Sequence, residues 1–425
     1  MNKYWGWPLM SVQLATALAL ALPSVLRAES KRNAPTVMTG IDVLIADNFA
    51  PLAGKRVGLI TNPTGITADL RSTVDVLHNA PEVKLVALFG PEHGVRGDVF
   101  AGEKVSDDRD PATGLPVYSL YGANRKPSPE ILKELDVLMY DIQDIGSRSY
   151  TYISSMGVAM EAAAEANVAF MVLDRPNPVT GNRIEGRPLN MKFSSMVGKF
   201  PIPYIYGLTC GEVARMINGE GWLANNIKCK LTVIPMRGYD RDMWFDETGL
   251  PWVLTSPHVP HADVALFYAA TGIMGELQVV CEGVGYTLPF ELAGAPFIKD
   301  AEGFARELNE RDLPGVRFRP IYFRPYYIDR VKNQQCGGVQ IHITDRDTVD
   351  LTGIQFHIME VVRKLYPDVD LFGVKGRANM FDKVCGTDRV REMLQQGQSA
   401  AEIIRFWNSD RDDYLKMRSK YLIYE

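Results

Sequence analysis

The sequence has 425 residues, 46 % hydrophobic and 23 % charged, with a formal net charge of -5. These are globular proportions, and the length suits two domains better than one. A mildly acidic chain with no basic stripe and no run of like charge excludes a nucleic-acid-binding surface and a charged interaction tail.

The first thirty residues stand apart. Lys3 precedes an uncharged, mostly apolar stretch over 8–26 that ends near Arg27 and Ala28. This pattern predicts a signal peptide over 1–28, with Leu26 where a small residue is preferred, and a mature chain in the periplasm or secreted. An uncleaved membrane anchor is the alternative reading of the same stretch. No other segment has the ~18 apolar residues of a membrane span, so no stable membrane insertion is expected of the mature protein. The five cysteines, Cys210, Cys229, Cys281, Cys336 and Cys385, are far apart and form no Cys-x-x-Cys pair. A cysteine zinc site is therefore not expected, and the odd count leaves at least one thiol free.

In chain order, strands are predicted at 56–62 (RVGLITN), 84–91 (KLVALFGP), 135–144 (LDVLMYDIQD) and 168–176 (VAFMVLDRP). Between them come helices at 68–79, at 128–134 with Ser128 as cap and Pro129 behind it, and at 150–167. Continuous apolar strands alternating with helices imply a parallel sheet covered on both faces, a Rossmann-like α/β domain over 36–200. Prolines at 176, 178, 188, 201 and 203 mark the boundary. Beyond it a helix is expected at 209–219, with Thr209 and Glu212 as a capping box. Strands are expected at 229–236, 316–328 and 338–345, and helices at 350–364 and 398–420. This second part reads as a smaller α+β domain over 201–425.

Each strand of the first domain ends in polar groups. Thr61 and Asn62 follow the first, Glu92 and His93 the second, and Gln143 and Asp144 the third, with Asp141 just inside it. Asp174, Arg175 and Asn177 follow the fourth. In an open parallel sheet the carboxyl ends of the strands border one crevice where ligands bind, so these groups are expected in one place. Taken singly, each position also has an ordinary reading as turn chemistry. The implied reaction is carboxylate chemistry, as in glycoside cleavage, where an acid protonates the leaving oxygen. Glu92, between Pro91 and His93, is the candidate acid. Arg96, Arg148 and Arg175 occupy the same loops. They either read a substrate carboxylate bidentately or neutralise Asp141, Asp144 and Asp174. Tyr150 and Tyr152 open the third helix, where they stack on a sugar or act near the reaction centre, or else belong to the core. No G-x-G-x-x-G, Walker, H-E-x-x-H or G-x-S-x-G motif occurs.

FGPEHGVRGD (89–98), YDIQDIGSRSYTYI (140–153), LDRPNPVTG (173–181) with IEGRPL (184–189), and YGLTCGEVARMIN (206–218) resemble the exo-β-N-acetylmuramidase family, from about Gly40 to the last residues. The resemblance implies a Rossmann-like domain carrying the active site and a smaller α+β domain that helps close it. It implies release of terminal N-acetylmuramic acid from the non-reducing end of peptidoglycan fragments. Glu92 is the leading catalytic residue, and no metal or organic cofactor is implied. Asp144 and Tyr150 join Glu92 as the catalytic candidates. The substrate-binding candidates are Asn62, His93, Arg96, Asp141, Gln143, Arg148, Tyr152, Asp174, Arg175, Asn177 and Glu282. One region departs from the family pattern. Where relatives carry Ser-Glu-Gly-Arg-Gly-Thr, this chain has CEGVGY at 281–286, with Val284 for the arginine and Tyr286 for the threonine, and Glu282 kept. A related sugar preference, a metal-assisted hydrolase built on His93, Asp141, Asp144 and Asp174, and a non-catalytic muropeptide-binding protein are the competing expectations.

Overall fold

The computed structural model describes residues 37–97, 108–122, 125–326 and 331–425. The expected signal peptide lies outside these residues. The four apolar runs of the first half form β1 (Arg56–Thr61), β2 (Lys84–Gly90), β5 (Val137–Asp141) and β6 (Ala169–Leu173). They are joined by β3 (Asp108–Arg109), β4 (Pro116–Ser119) and β7 (Leu231–Ile234) in one sheet of order β3-β4-β2-β1-β5-β6-β7. All pairings are parallel except β3 with β4. Both faces are covered, which is why the strands read as continuous apolar runs. Val137 and Met139 of β5 face a layer that includes α1 (Gly40–Ala46) and α2 (Thr73–Asn79). Leu138 and Tyr140 face the opposite layer, which includes α3 (Pro129–Leu132), α4 (Tyr152–Glu165) and α5 (Cys210–Gly219).

The chain steps from β1 through β2 to β4 on one side and from β5 through β6 to β7 on the other. The winding therefore reverses between β1 and β5, where such sheets open a crevice. β7 corrects one expectation. It falls within 201–425, the range expected for the second domain, yet it pairs with β6 through Phe170 opposite Leu231 and Val172 opposite Val233. The first sheet thus extends past residue 200. The reason is α5, capped by Thr209 and Glu212 as expected, whose apolar face (Val213, Met216, Ile217) packs on the sheet and returns the chain for one more parallel strand. The proline-rich stretch is no free linker, since Phe200, Ile202 and Tyr204 are buried.

The second domain holds α6 (Val264–Gly275), β8 (Leu292–Ala295), α7 (Ala301–Asn309), β9 (Val316–Phe323), β10 (Cys336–Ile343) and α8 (Leu351–Leu365). It continues with α9 (Arg377–Cys385), α10 (Arg389–Gln395), α11 (Ala400–Trp407) and α12 (Asp412–Arg418). Its antiparallel sheet, β8-β10-β9, shares one core with α6, α7 and α8 around Phe304, Val339, Ile354 and Met359. The single helix expected at 398–420 is two, broken around Asp410, whose φ of 61° no helix accommodates. All five cysteines are buried free thiols.

Candidate active site

The polar ends of β1, β5 and β6 come together, but apart from the cavity that Glu92 lines. Those of β5 and β6 form a sealed lattice. The Asp141 carboxylate accepts from Arg175 Nε at 2.6 Å and Nη2 at 2.9 Å, and from the Thr73 hydroxyl at 2.6 Å. Asp174 accepts from the N–H groups of Arg175 and Gly211 and from the hydroxyls of Thr209 and Tyr424, at 2.6 to 3.0 Å. Asn177 donates to Leu208 O and accepts from Val179 N–H, and Gln143 donates to the carbonyls of Asp144 and Pro176. These groups are buried and spent on one another, as buried polar loops require. The gap lined by Gln143 and Arg175 is about 20 Å³, room for roughly one water and far too small for a sugar. Asp141, Gln143, Asp174, Arg175 and Asn177, expected to bind substrate, are thus held in the loop lattice here and do not line the Glu92 cavity.

Two arginines expected to read a substrate carboxylate are likewise committed. Arg96 Nε and Nη2 donate to Asp110 at 2.8 and 3.0 Å, and Nη2 also reaches Asp75 at 3.0 Å. Its guanidinium holds the Asp110 carboxyl down at about 2. Arg148 is fully buried and spends both Nη atoms on backbone carbonyls. Burial pushes it down to about 10, still cationic at neutral pH.

Glu92 stands elsewhere. Gly94 N–H donates to Pro91 O at 3.0 Å, closing a tight turn with Glu92 and His93 at its centre. His93 holds a φ of 74°, a left-handed conformation rare outside glycine, and Gly94 follows at 75°. This turn presents Glu92 to a cavity of about 390 Å³, a size typical of small-ligand sites. Thr151, Ser155 and Ser195 supply hydroxyls to the wall, Leu120, Met196, Val197 and Met380 supply apolar surface, and Arg125 and Lys383 supply cations. Thr151, at the start of α4, does not cap that helix through its side chain. Its hydroxyl donates to Glu92 Oε2 at 3.3 Å instead.

Beneath this wall lies an aromatic layer. Tyr150 donates to Thr255 Oγ1 and Tyr152 to Thr255 O, both at 2.7 Å. Their rings meet edge to face at 5.0 Å. Burial pushes the Tyr150 phenol well up, and the charges of Asp144 and Glu92 both add to that shift. Asn62 lies beside the Tyr152 hydroxyl outside hydrogen-bond geometry, and its Nδ2 makes no hydrogen bond. Asp144 is buried. Its Oδ1 accepts from the Tyr206 hydroxyl at 2.6 Å and Gly146 N–H at 2.8 Å, while Oδ2 makes no hydrogen bond. Burial raises it to about 6. Asp144 thus does not line the cavity.

A second cavity, about 320 Å³, is lined by Glu282, Glu276, Val284, His258 and Tyr268 and by Arg377 of α9. Burial raises Glu282 to about 7, and Glu276 lies within its field. Arg377 Nη2 pairs with Glu276 Oε2 at 2.6 Å. Burial, and secondarily its neighbour His93, lower the pKa of His258. Arg377, Met380 and Lys383 lie three residues apart on one face of α9, which therefore runs along both cavities. The sequence reading missed Thr255, Tyr268, Arg377 and Lys383. Neither Thr255, in the segment TSPHVPHAD at 255–263, nor the α9 residues carry a motif.

A two-domain α/β fold with an acid-bearing, half-apolar cavity defines a protein built to hold a sugar-like ligand against a carboxyl group. Residues 57–263 match the N-terminal domain, and residues 266–424 the C-terminal domain, of exo-β-N-acetylmuramidase NamZ. The chain belongs to the NamZ exo-β-N-acetylmuramidase family. It is 47 % identical over 390 residues, 92 % of each chain, to the peptidoglycan β-N-acetylmuramidase NamZ of Bacillus subtilis strain 168. It is also similar to two crystal structures of DUF1343 family proteins from Bacteroides fragilis. One matches with a TM-score of 0.87 at 51 % identity and the other with 0.73 at 32 %, each over 92 % of this chain and 99 % of the other.

Proposed function

We propose that this chain is an exo-acting glycoside hydrolase that releases terminal N-acetylmuramic acid from the non-reducing end of peptidoglycan fragments, with Glu92 as its acid. The observation that carries the assignment of Glu92 is its place in the larger cavity, beside hydroxyl and apolar groups that suit a sugar ring and an N-acetyl group. Family membership supplies the sugar and the exo mode. In this reading the tight turn at 91–94 fixes the carboxyl, the Thr151 hydroxyl orients it, and Glu92 protonates the leaving glycosidic oxygen. Tyr150 is fixed by its hydrogen bond to Thr255 Oγ1.

Glu92→Gln keeps the shape and removes the proton donor. Its turnover on a poor leaving group is expected to fall by about 10²–10⁴-fold, with much less loss on an activated aryl leaving group and an unchanged melting temperature. Equal turnover by the variant and the parent rules Glu92 out. A parent that binds muropeptides and cleaves none is a binding protein.

The apolar leader over 8–26 supports export, with the mature N-terminus near Glu29 and the enzyme acting where peptidoglycan lies. N-terminal sequencing of protein from the periplasmic fraction is expected to begin close to that residue. Intact Met1 on soluble cytosolic protein defeats this.

A further inference from the structure

We infer that Lys383 is the residue that recognises the carboxylate of the sugar bound against Glu92, a role that rests on the reading of that cavity as the sugar site. The side chain lies in the last turn of α9, half-buried in the cavity wall, and makes no ion pair among the described residues. Its sequence neighbour Asp382 does not neutralise it, because that carboxylate is taken by Arg391 at 3.0 to 3.1 Å through three hydrogen bonds. The C-terminal end of a helix also favours a cation.

The charges on the two cavities sharpen the assignment. The Glu92 cavity carries one carboxylate and two cations, Arg125 and Lys383, a formal sum of +1. The neighbouring cavity carries Glu276 and Glu282 against Arg377, a formal sum of -1 with both carboxylates ionised. Only the first suits an anion. Arg125 stands exposed at its rim, and its Nε is held by Gly122 O at 3.0 Å, so Lys383 is the better-buried cation. Ser195, on the same wall, has an Oγ that makes no hydrogen bond among the described residues.

The ligand this wall fits is a sugar with a carboxylate and a methyl group close together, because Met196, Val197 and Met380 lie on the same wall as the cation. N-acetylmuramic acid carries such a lactyl group. N-acetylglucosamine, the other sugar of the glycan, does not. The arginines expected to do this work, Arg96 and Arg148, are spent on Asp75, Asp110 and backbone carbonyls.

The test compares Lys383→Met, which keeps the stem and removes the charge, with Lys383→Arg, which keeps the charge. Substrates are an aryl N-acetylmuramic acid glycoside and its lactyl methyl ester. Lys383→Met is expected to lose about 10- to 100-fold in kcat/KM on the acid and little on the ester, while Lys383→Arg keeps most activity on the acid. Calorimetric binding of free N-acetylmuramic acid, which needs no turnover, is expected to weaken by a similar factor in Lys383→Met. An equal loss on acid and ester, or no loss, overturns the assignment. A parent that cleaves neither glycoside overturns the proposed activity instead. The binding arm still decides Lys383 in that case, since unchanged affinity rejects it and weakened affinity supports it.

Discussion

Asp144 shows what burial does to one carboxyl group. Only Oδ1 has partners, the Tyr206 hydroxyl and the Gly146 N–H, and burial raises the group to about 6 from an unfolded value near 3.9. Between roughly pH 4 and 6 the folded chain therefore holds a proton that the unfolded chain has released, so stability falls as pH rises through that window. The stabilising term is complete below about pH 4 and gone above about pH 6. Asp144→Asn keeps an acceptor for Tyr206 and cannot ionise. Relative to the parent it is expected to be more stable at pH 7 than at pH 4, by roughly 2–3 kcal/mol in urea unfolding. Asp174, also raised to about 6 by burial, leaves part of the slope in place. Identical pH slopes for variant and parent place the Asp144 titration where it does not feel folding.

Sequence alone located the strands better than the partners of the charged residues. β1, β2, β5 and β6 lie inside their expected ranges because buried parallel strands are short, uninterrupted apolar runs. The Thr209–Glu212 capping box was legible for a similarly local reason. α6 was not read. VALFYAATGIMG is apolar on every side, so it has no helical period to detect, and it is buried because a second domain packs around it. β3 and β4 lie in a stretch of Asp, Pro, Thr and Gly that reads as turns, and only pairing with β2 makes β4 a strand. At the site, Glu92 was legible because its turn is local. Whether Arg175 meets a substrate or Asp141, 34 positions away, depends on which loops the fold brings together. Lys383 was invisible for the same reason, since it comes to the Glu92 cavity only across the join between domains.

That join follows one rule at two helix ends. The Glu185 carboxylate accepts from Thr352 N–H and the Thr352 hydroxyl at 2.8 Å, at the positive N-terminal end of α8. Arg148 meets the opposite end of α9. Its Nη2 donates to Val384 O and Cys385 O at 2.9 Å, carbonyls at that helix terminus, while Nη1 donates to Ile202 O at 2.7 Å. Each second-domain helix is thus held at its charged end by a first-domain side chain, and α9 carries Arg377, Met380 and Lys383 to both cavities. Arg148→Met removes the cation and leaves buried carbonyls without donors. At about 1–3 kcal/mol per unsatisfied group, the loss is expected to reach roughly 3–5 kcal/mol. Arg148→Lys is expected to rescue little, because one ammonium does not replace a fork with two separately bonded Nη atoms. Hydrogen exchange followed by mass spectrometry locates the effect. In Arg148→Met, exchange is expected to rise together in β5 of the first sheet and β10 of the second, because the two domains unfold as one body. Faster exchange confined to 377–395, with β5 and β10 still protected, would mean instead that Arg148 only latches α9 and the domains hold without it.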